Sequence, residues 1–454
     1  MDRSESSAAI KFKEGQTVVI KVGTSSLLMN DLNAINLPAI ANLCETVARL
    51  AQGGCRVVMV TSGAVGVGGQ VLGLKTRPTD LPKKQALAAI GQQALMRYYN
   101  DFLSALGLSC AQVLLTLDNL ANRSQYLNAR NTFQALFEYG TIPIVNENDT
   151  VAVQELRIGD NDTLSAQVAS LVGADWLFLL TDVAGLYTAN PQSDPEAKLI
   201  PVVDDLAQLN VNVGDAGSSW GTGGMHTKLT AARIAVAAGC RMVICLTECL
   251  VHIPTVVLDT PVDAETAGLS FGTLFLPLEN PLRGRKRWIL GMPSRGQIHL
   301  DEGASRAILK RKSLFPAGVR LVQGSFHAQD RVSIVDSDGT EMACGLTNYS
   351  SEEVMKIQGK TSAEIKEYLG YFGNDEVVHR DNLCITMVVP GSEGTKSMFY
   401  AKQQTLPESC GGIEHRRMEK AKCELVYHPD SFKELHLEIA EFMHALTEQW
   451  IYGV

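Results

Sequence analysis

Between Thr17 and Leu246 the chain repeats one pattern: a short, almost wholly apolar run, a small-residue loop, then a stretch with apolar residues at helical spacing. The runs are "TVVIKV" (17–22), "CRVVMVT" (55–61), "CAQVLLT" (110–116), "TIPIVN" (141–146), "DWLFLLT" (175–181) and "RMVICL" (241–246). Strands apolar on both faces belong to a parallel sheet that is covered on both sides. Stretches such as "LPAIANLCETVARLAQ" (37–52) and "SQYLNARNTFQALFEY" (124–139) supply the covering helices. The pattern predicts an α/β fold, an open and mainly parallel sheet sandwiched by helices. In such a sheet the loops and helix N-termini gather at the carboxyl edge of the strands, and chemistry is expected there.

Near residue 280 the texture changes. "ENPLRGRKRWIL" (279–290) brings a proline and a burst of arginines, and the chain to about 385 consists of short runs with turn signals such as "DSDG" (336–339). That predicts a smaller, mostly β second domain after a linker. Residues 283–312 hold nine Lys or Arg against two acids, Asp301 and Glu302, which reads as a solvated face. Further on, "DSFKELHLEIAEFMHALTEQWIYG" (430–453) predicts an amphipathic helix capped by Asp430 or Ser431. The expected divisions are therefore 1–278, 279–385 and an extension over 386–454.

Composition narrows the class. A chain of 454 residues is too long for one ordinary core. Lys and Arg total 40 against 49 Asp and Glu, so 40 − 49 gives −9, which argues against long-range attraction to nucleic acid or anionic membrane. The ten cysteines form no C-x-x-C pair, so they read as free thiols of a reducing compartment, neither a zinc site nor a disulfide framework. No apolar run approaches the ~18 residues of a membrane span. "MDRSESSAAIKFKEG" lacks the apolar core of a secretory signal, and the expected location is the cytoplasm.

Several motifs sit where the strands end. "GTGGMHTKLTAARIAVAAG" (221–239) fails the Walker A pattern, because Leu229 follows Lys228, and it fails the dinucleotide fingerprint. Glycine amides followed by a helix N-terminus still suit a phosphate group, although a glycine-rich surface loop has the same composition. Lys21, beside Gly23, Thr24 and Ser25, suggests a second phosphate loop or a lysine snorkelling from a strand end. "TSGAVGVGG" (61–69) places Ser62 and Gly63 for close approach to a small polar ligand. "NENDTV" (146–151) and "GDNDTLSA" (159–166) crowd Asn146, Glu147, Asn148 and Asp149 with Asp160, Asn161 and Asp162. Such density suits turns and caps; it equally suits holding an ammonium group, orienting lysines or positioning a metal. "LLTDVAGLYTANP" (179–191) offers Thr181 and Asp182 as a nucleotide contact or a tight turn.

Taken in order, these motifs together with "IKVGTSSL" (20–27) resemble the glutamate 5-kinase (gamma-glutamyl kinase) branch of the amino acid kinase family. "RKRWILGMPSRGQIHLDEGASRAIL" (285–309) and "LGYFGNDEVVHRDNL" (369–383) resemble the PUA domain appended to many of its members. The resemblance runs from about 15 to 385. It implies an ATP- and Mg2+-dependent transfer of phosphate to the γ-carboxylate of L-glutamate. Lys21 and Lys228 would neutralise the transferring group, with Asp162 holding both. Ser62, Asp149 and Asn161 match the family's glutamate contacts. Its ATP contacts match Lys21, Thr181 and Asp182, with Thr222, Gly223, Gly224, Met225, His226, Thr227 and Lys228. The resemblance further implies L-glutamyl 5-phosphate as product at the first step of proline biosynthesis, proline as feedback inhibitor, a homo-oligomer, and hand-off to a glutamyl phosphate reductase. Competing readings are a kinase of the same family acting on acetylglutamate, aspartate, carbamate or a nucleoside monophosphate, and an RNA-associated role for the PUA-like segment. The acidic balance and the lack of interleaved aromatic residues count against nucleic acid.

Overall fold

A computed structural model describes residues 15–29, 34–152, 161–191, 194, 196–206, 209, 224–259, 269, 271–278, 281–371 and 373–386. The terminal helix expected from Asp430 lies outside the described residues, as do Asp160, Gly221, Thr222 and Gly223.

The first sheet contains β1 (Thr17–Val22), β4 (Arg56–Thr61), β5 (Ser109–Leu115), β6 (Thr141–Glu147), β7 (Trp176–Thr181), β8 (Val202–Val203), β9 (Arg241–Leu246) and β10 (Thr273–Phe275). A short pair, β2 (Leu28–Met29) with β3 (Ala34–Ile35), lies apart from it. Strand order is β5-β6-β4-β1-β7-β9-β10-β8. The pairings from β5 to β9 are parallel, and β10 runs antiparallel to β9. The six sequence-predicted strands each correspond to one of these within a residue or so at their ends. β1 lies centrally, flanked by β4 and β7, and every residue in it is buried.

The helices of this unit are α1 (Thr24–Leu27), α2 (Leu37–Gln52), α3 (Ala64–Val71), α4 (Leu81–Ala105), α5 (Leu117–Ala121), α6 (Arg123–Glu138), α7 (Asn161–Val172), α8 (Met225–Ala237) and α9 (Ile253–Asp259). The twofold alternation of a strand decides which side chain meets which layer. Val18, Ile20 and Val22 join one core with Leu43, Val47, Leu95 and Ile253 of α2, α4 and α9. Val19, Val58, Val60, Leu177 and Leu179 join the other with Phe133, Leu164, Val168 and Ile234 of α6, α7 and α8. Lys21 shares the parity of Val19, so it is delivered toward the α7 and α8 side. Asn146 shares the parity of Ile142 and Ile144, whose core includes α4.

The segment "ENPLRGRKRWIL" does not act as a spacer alone. Residues Gly284–Gly291 form α10, and Trp288, Ile289 and Leu290 are buried in the same core as α7 and α8.

Beyond it, β11 (Gly296–Leu300), β12 (Val319–Gly324), β13 (Arg331–Val335), β14 (Glu341–Leu346) and β15 (Leu383–Ile385) form a second sheet, ordered β12-β11-β13-β14-β15. With α11 (Glu302–Leu309), α12 (Ser351–Ile357) and α13 (Ile365–Leu369) this sheet encloses its own core around Ile298, Ile334 and Tyr349. The "DSDG" turn forms as expected: Asp336 Oδ1 accepts from the amides of Asp338 and Thr340, and Gly339 supplies a φ of +86°. The eight described cysteines are free thiols.

Candidate active site

The carboxyl edge of the first sheet brings the predicted residues together by helix geometry. α7 and α8 pack side by side and both begin at that edge, so their first turns face each other. Asp162 lies in the first turn of α7 and is fully buried; Lys228 lies in the first turn of α8 and is 7% exposed. Lys21 Nζ meets Asp162 Oδ1 at 2.5 Å, and Lys228 Nζ meets Asp162 Oδ2 at 3.1 Å. One carboxylate thus bridges two ammonium groups drawn from residues far apart in the chain. A buried charge without a partner is costly. Here the carboxylate is doubly paired, and the trio keeps a net charge of +1.

The surroundings suit an anion over that surplus charge. Gly23 separates β1 from α1, and a Cβ placed there would stand 3.8 Å from Lys21 Nζ, so the missing side chain leaves room beside the amine. Gly224 precedes α8 as its N-cap residue and offers no side-chain cap, and none is made among the described residues. Its first amides and its dipole therefore point at the same edge. Thr227 Oγ1 is 2.8 Å from the carbonyl of Gly224 and 3.3 Å from Asp162 Oδ2. Met225 is half-buried, and His226 is exposed on the outer side of the same turn.

A second group sits beside the first, on β4, β6 and the start of α7. Asn161 Nδ2 donates toward Thr61 O at 2.5 Å, Ser62 Oγ at 2.9 Å and Asn146 Oδ1 at 2.9 Å. The turn that presents Ser62 depends on Gly63, whose φ of +97° is left-handed and whose position starts α3. Asn161 and Asp162 are adjacent, so the carboxamide cluster and the lysine pair share the first turn of one helix.

Asp149 reaches the same edge in the turn after β6 and is half-buried. Loss of water around it pushes its carboxyl up to about 6, against the opposing pull of the Arg77 guanidinium. Its setting is defined by burial and Arg77 rather than by bonds to the carboxamide cluster.

Thr181 ends β7, and its hydroxyl donates to Asp182 Oδ1 at 3.0 Å, with Asp182 itself exposed. Thr247 Oγ1 donates to the Thr181 carbonyl at 3.3 Å and lies 2.6 Å from Ser26 Oγ, tying α1 to the end of β7. Ser26, Gln92 and Thr247 all serve this edge and were not among the predicted site residues. Ser26 stands inside the "IKVGTSSL" motif without having been singled out, whereas Gln92 and Thr247 lie outside the glycine-rich and acidic motifs, so only proximity in the fold reveals them.

The sequence model of the amino acid kinase family matches residues 16–246, and that of the PUA domain matches residues 296–369. The chain belongs to the amino acid kinase family, whose members are phosphotransferases, and carries a PUA domain after it. Its relatives include proteins named glutamate 5-kinase. One from Nostoc sp. is 51% identical over 376 residues, spanning 82% of this chain and 97% of its own. One from Cyanothece sp. is 52% identical over 374 residues, spanning 82% and 100%. A third, from Acaryochloris marina, is 52% identical over 377 residues, spanning 82% and 99%.

Proposed function

We propose that the protein transfers the γ-phosphoryl group of ATP to the γ-carboxylate of L-glutamate, giving L-glutamyl 5-phosphate and ADP. The observation that carries this reading is the pairing of Lys21 and Lys228 on the single buried carboxylate of Asp162 at the sheet edge.

A side-chain carboxylate has a reference pKa near ~4.3, so the acceptor is already ionised and nucleophilic at neutral pH, and no general base is required. The obstacle is repulsion. Like charges ~4 Å apart cost about 4 kcal/mol at an effective dielectric of ~20. Two preorganised ammonium groups and the first amides of α8 offset that repulsion where charge develops. One carboxylate oxygen forms a bond to the γ-phosphorus as the bond to the bridging oxygen of ADP breaks. Asp162 holds both lysines in place. Thr181, Asp182 and the segment from Thr222 to Lys228 would hold the nucleotide. Ser62, Asn161 and Asp149 would hold glutamate, with Asp149 suited to its ammonium group. Asp162 is committed to both lysines, so Mg2+ would enter with the nucleotide rather than on this carboxylate and would add to charge neutralisation.

The reading extends to a place at the first step of proline biosynthesis in the cytoplasm, inhibition by proline, and a homo-oligomer. An acyl phosphate hydrolyses readily, which favours direct hand-off to a reductase. The test is hydroxamate formation from ATP, Mg2+ and hydroxylamine. Glutamate should yield ATP-dependent hydroxamate, and acetylglutamate and aspartate should not. Product with either control in place of glutamate would move the protein to another branch of the family.

A further inference from the structure

Behind the carboxamide cluster lies a second layer. Gln92, in the middle of α4, is 8% exposed, and Asn146 Nδ2 donates to its Oε1 at 2.7 Å. The direction of this bond is fixed from outside the pair. The backbone N–H of Glu147 donates to Asn146 Oδ1 at 2.8 Å, and a backbone N–H can only donate. The atom facing it is therefore the amide oxygen, Asn146 turns its nitrogen to Gln92, and Gln92 must answer with its oxygen. Asn146 Oδ1 also accepts from Asn161 Nδ2, which reaches Ser62 Oγ. A directional chain runs from α4 through β6 to the two groups assigned to the acid substrate.

The other end of Gln92 gives the second observation. Its Nε2 is buried and has no hydrogen-bond partner among the described residues. An unpaired buried amide costs stability. A methionine would fill the same space and remove this unpaired amide, but it would leave Asn146 Nδ2 without its acceptor, so what the carboxamide contributes is the oxygen that holds Asn146. Gln92 stands on the α4 side of the sheet, the side opposite the lysine pair.

We propose that Gln92 is a positioning residue for the acid substrate: as the second anchor of Asn146, beside the Glu147 amide, it holds the carboxamide that aims Asn161 and Ser62, and it leaves the nucleotide and the phosphoryl-transfer groups untouched. The proposal rests on the assignment of Ser62 and Asn161 to glutamate made above. Loss of one such hydrogen bond corresponds to about a 3- to 10-fold change in affinity.

The experiment is steady-state kinetics on the full chain with glutamate and ATP. Gln92→Met should raise KM for glutamate about 3- to 10-fold, with kcat and KM for ATP within about twofold of the parent and the thermal midpoint little changed, because an unpaired Asn146 Nδ2 takes the place of the unpaired Gln92 Nε2. In an Asn146→Ala background the same change should add less than about twofold. Gln92→Asn, which stays polar but falls short of Asn146, should repeat the KM rise, and it decides the matter if the methionine variant does not fold. An unmoved KM for glutamate in folded variants overturns the proposal. So does an equal rise in both Asn146 backgrounds, or a loss confined to kcat. If the parent protein releases no ADP with glutamate, the functional reading fails; if the parent is active and the Gln92 variants show no split, this inference alone fails.

Discussion

Asp149 carries a carboxyl whose ionisation is shifted toward neutral pH. Burial raises its carboxyl to about 6, whereas a glutamate ammonium can pair only with the ionised form. The sign follows directly. The ionised fraction falls as pH drops through about 6, so KM for glutamate should rise about tenfold per pH unit below that point. Asp149→Asn should raise KM at pH 8 and flatten the profile, with kcat little changed. A parent profile that stays level between pH 7 and 5 would remove Asp149 from this role. Lys21 and Lys228 act on a different quantity. Lys21→Ala or Lys228→Ala should lower kcat by roughly 10²-fold or more, as for loss of one preorganised donor. Normal turnover by Lys21→Ala would dismiss the assignment. At this scale Asn161 and Asp162 stood out in a dense polar motif, Lys21 as a lysine ending an apolar strand and Lys228 as a lysine after a glycine-rich loop, while the roles expected of them came from the family resemblance. Gln92 and Thr247 were not, since neither belongs to a glycine-rich or acidic motif at a strand end.

At the scale of elements, the seating of α3 against α4 controls where Ser62 lies. The two helices approach so closely that a Cβ on Gly91 would fall 1.9 Å from the carbonyl oxygen of Ala64, and one on Gly68 would fall 2.0 Å from that of Leu87. Neither contact can be relieved by a flexible side chain. Gly91→Ala should therefore destabilise the protein by about 1–3 kcal/mol or more and displace the Ser62 turn, raising KM for glutamate. Gly69, in the same helix, would place a Cβ in open space. Gly69→Ala should be neutral or stabilising by up to about 1 kcal/mol, because only the unfolded chain loses freedom. Denaturant midpoints of the two variants measure the contrast. Equal midpoints would mean that the helices separate at no cost. The glycines of "TSGAVGVGG" were visible as a motif, yet their division between a left-handed turn at Gly63 and a helix crossing at Gly68 depends on α4 being alongside.

For the molecule as a whole, α10 is the element that joins the two sheets. Trp288 Nε1 donates to the carbonyl of Leu120 at 2.9 Å, its ring lies 6.4 Å from that of Tyr126, and the Arg123 guanidinium carbon stands 5.1 Å over it. On the other side, α10 contacts β14 and β15, where Cys384 Sγ is 3.1 Å from the Lys286 carbonyl and Cys344 and Leu346 share the core of α10. Arg295 adds an ion pair to Asp118 at 2.6 Å, which is half-exposed and contributes little. Trp288→Ala should cost about 3–5 kcal/mol and split thermal unfolding into two transitions, because the sheets would lose their shared core. A single transition at the parental midpoint would show that α10 does not couple them.

The sequence by itself determined the class of fold, the strands of the first sheet and the edge at which chemistry collects. Those follow from local rules: apolar runs on both faces demand a covered parallel sheet, and strand-to-helix loops then fall on one edge. It also marked the second, strand-rich domain by its change of texture. Only the tertiary structure decided which polar residues share a charge and which support others from behind. Strand alternation sends Lys21 to the α7 and α8 side and Asn146 to the α4 side, while helix packing sets Lys228 on Asp162 and Gln92 on Asn146. The first of these rules is written in neighbouring residues; the second depends on contacts between segments 54 to 141 residues apart, since 146 − 92 = 54 and 162 − 21 = 141, and no window along the chain contains them.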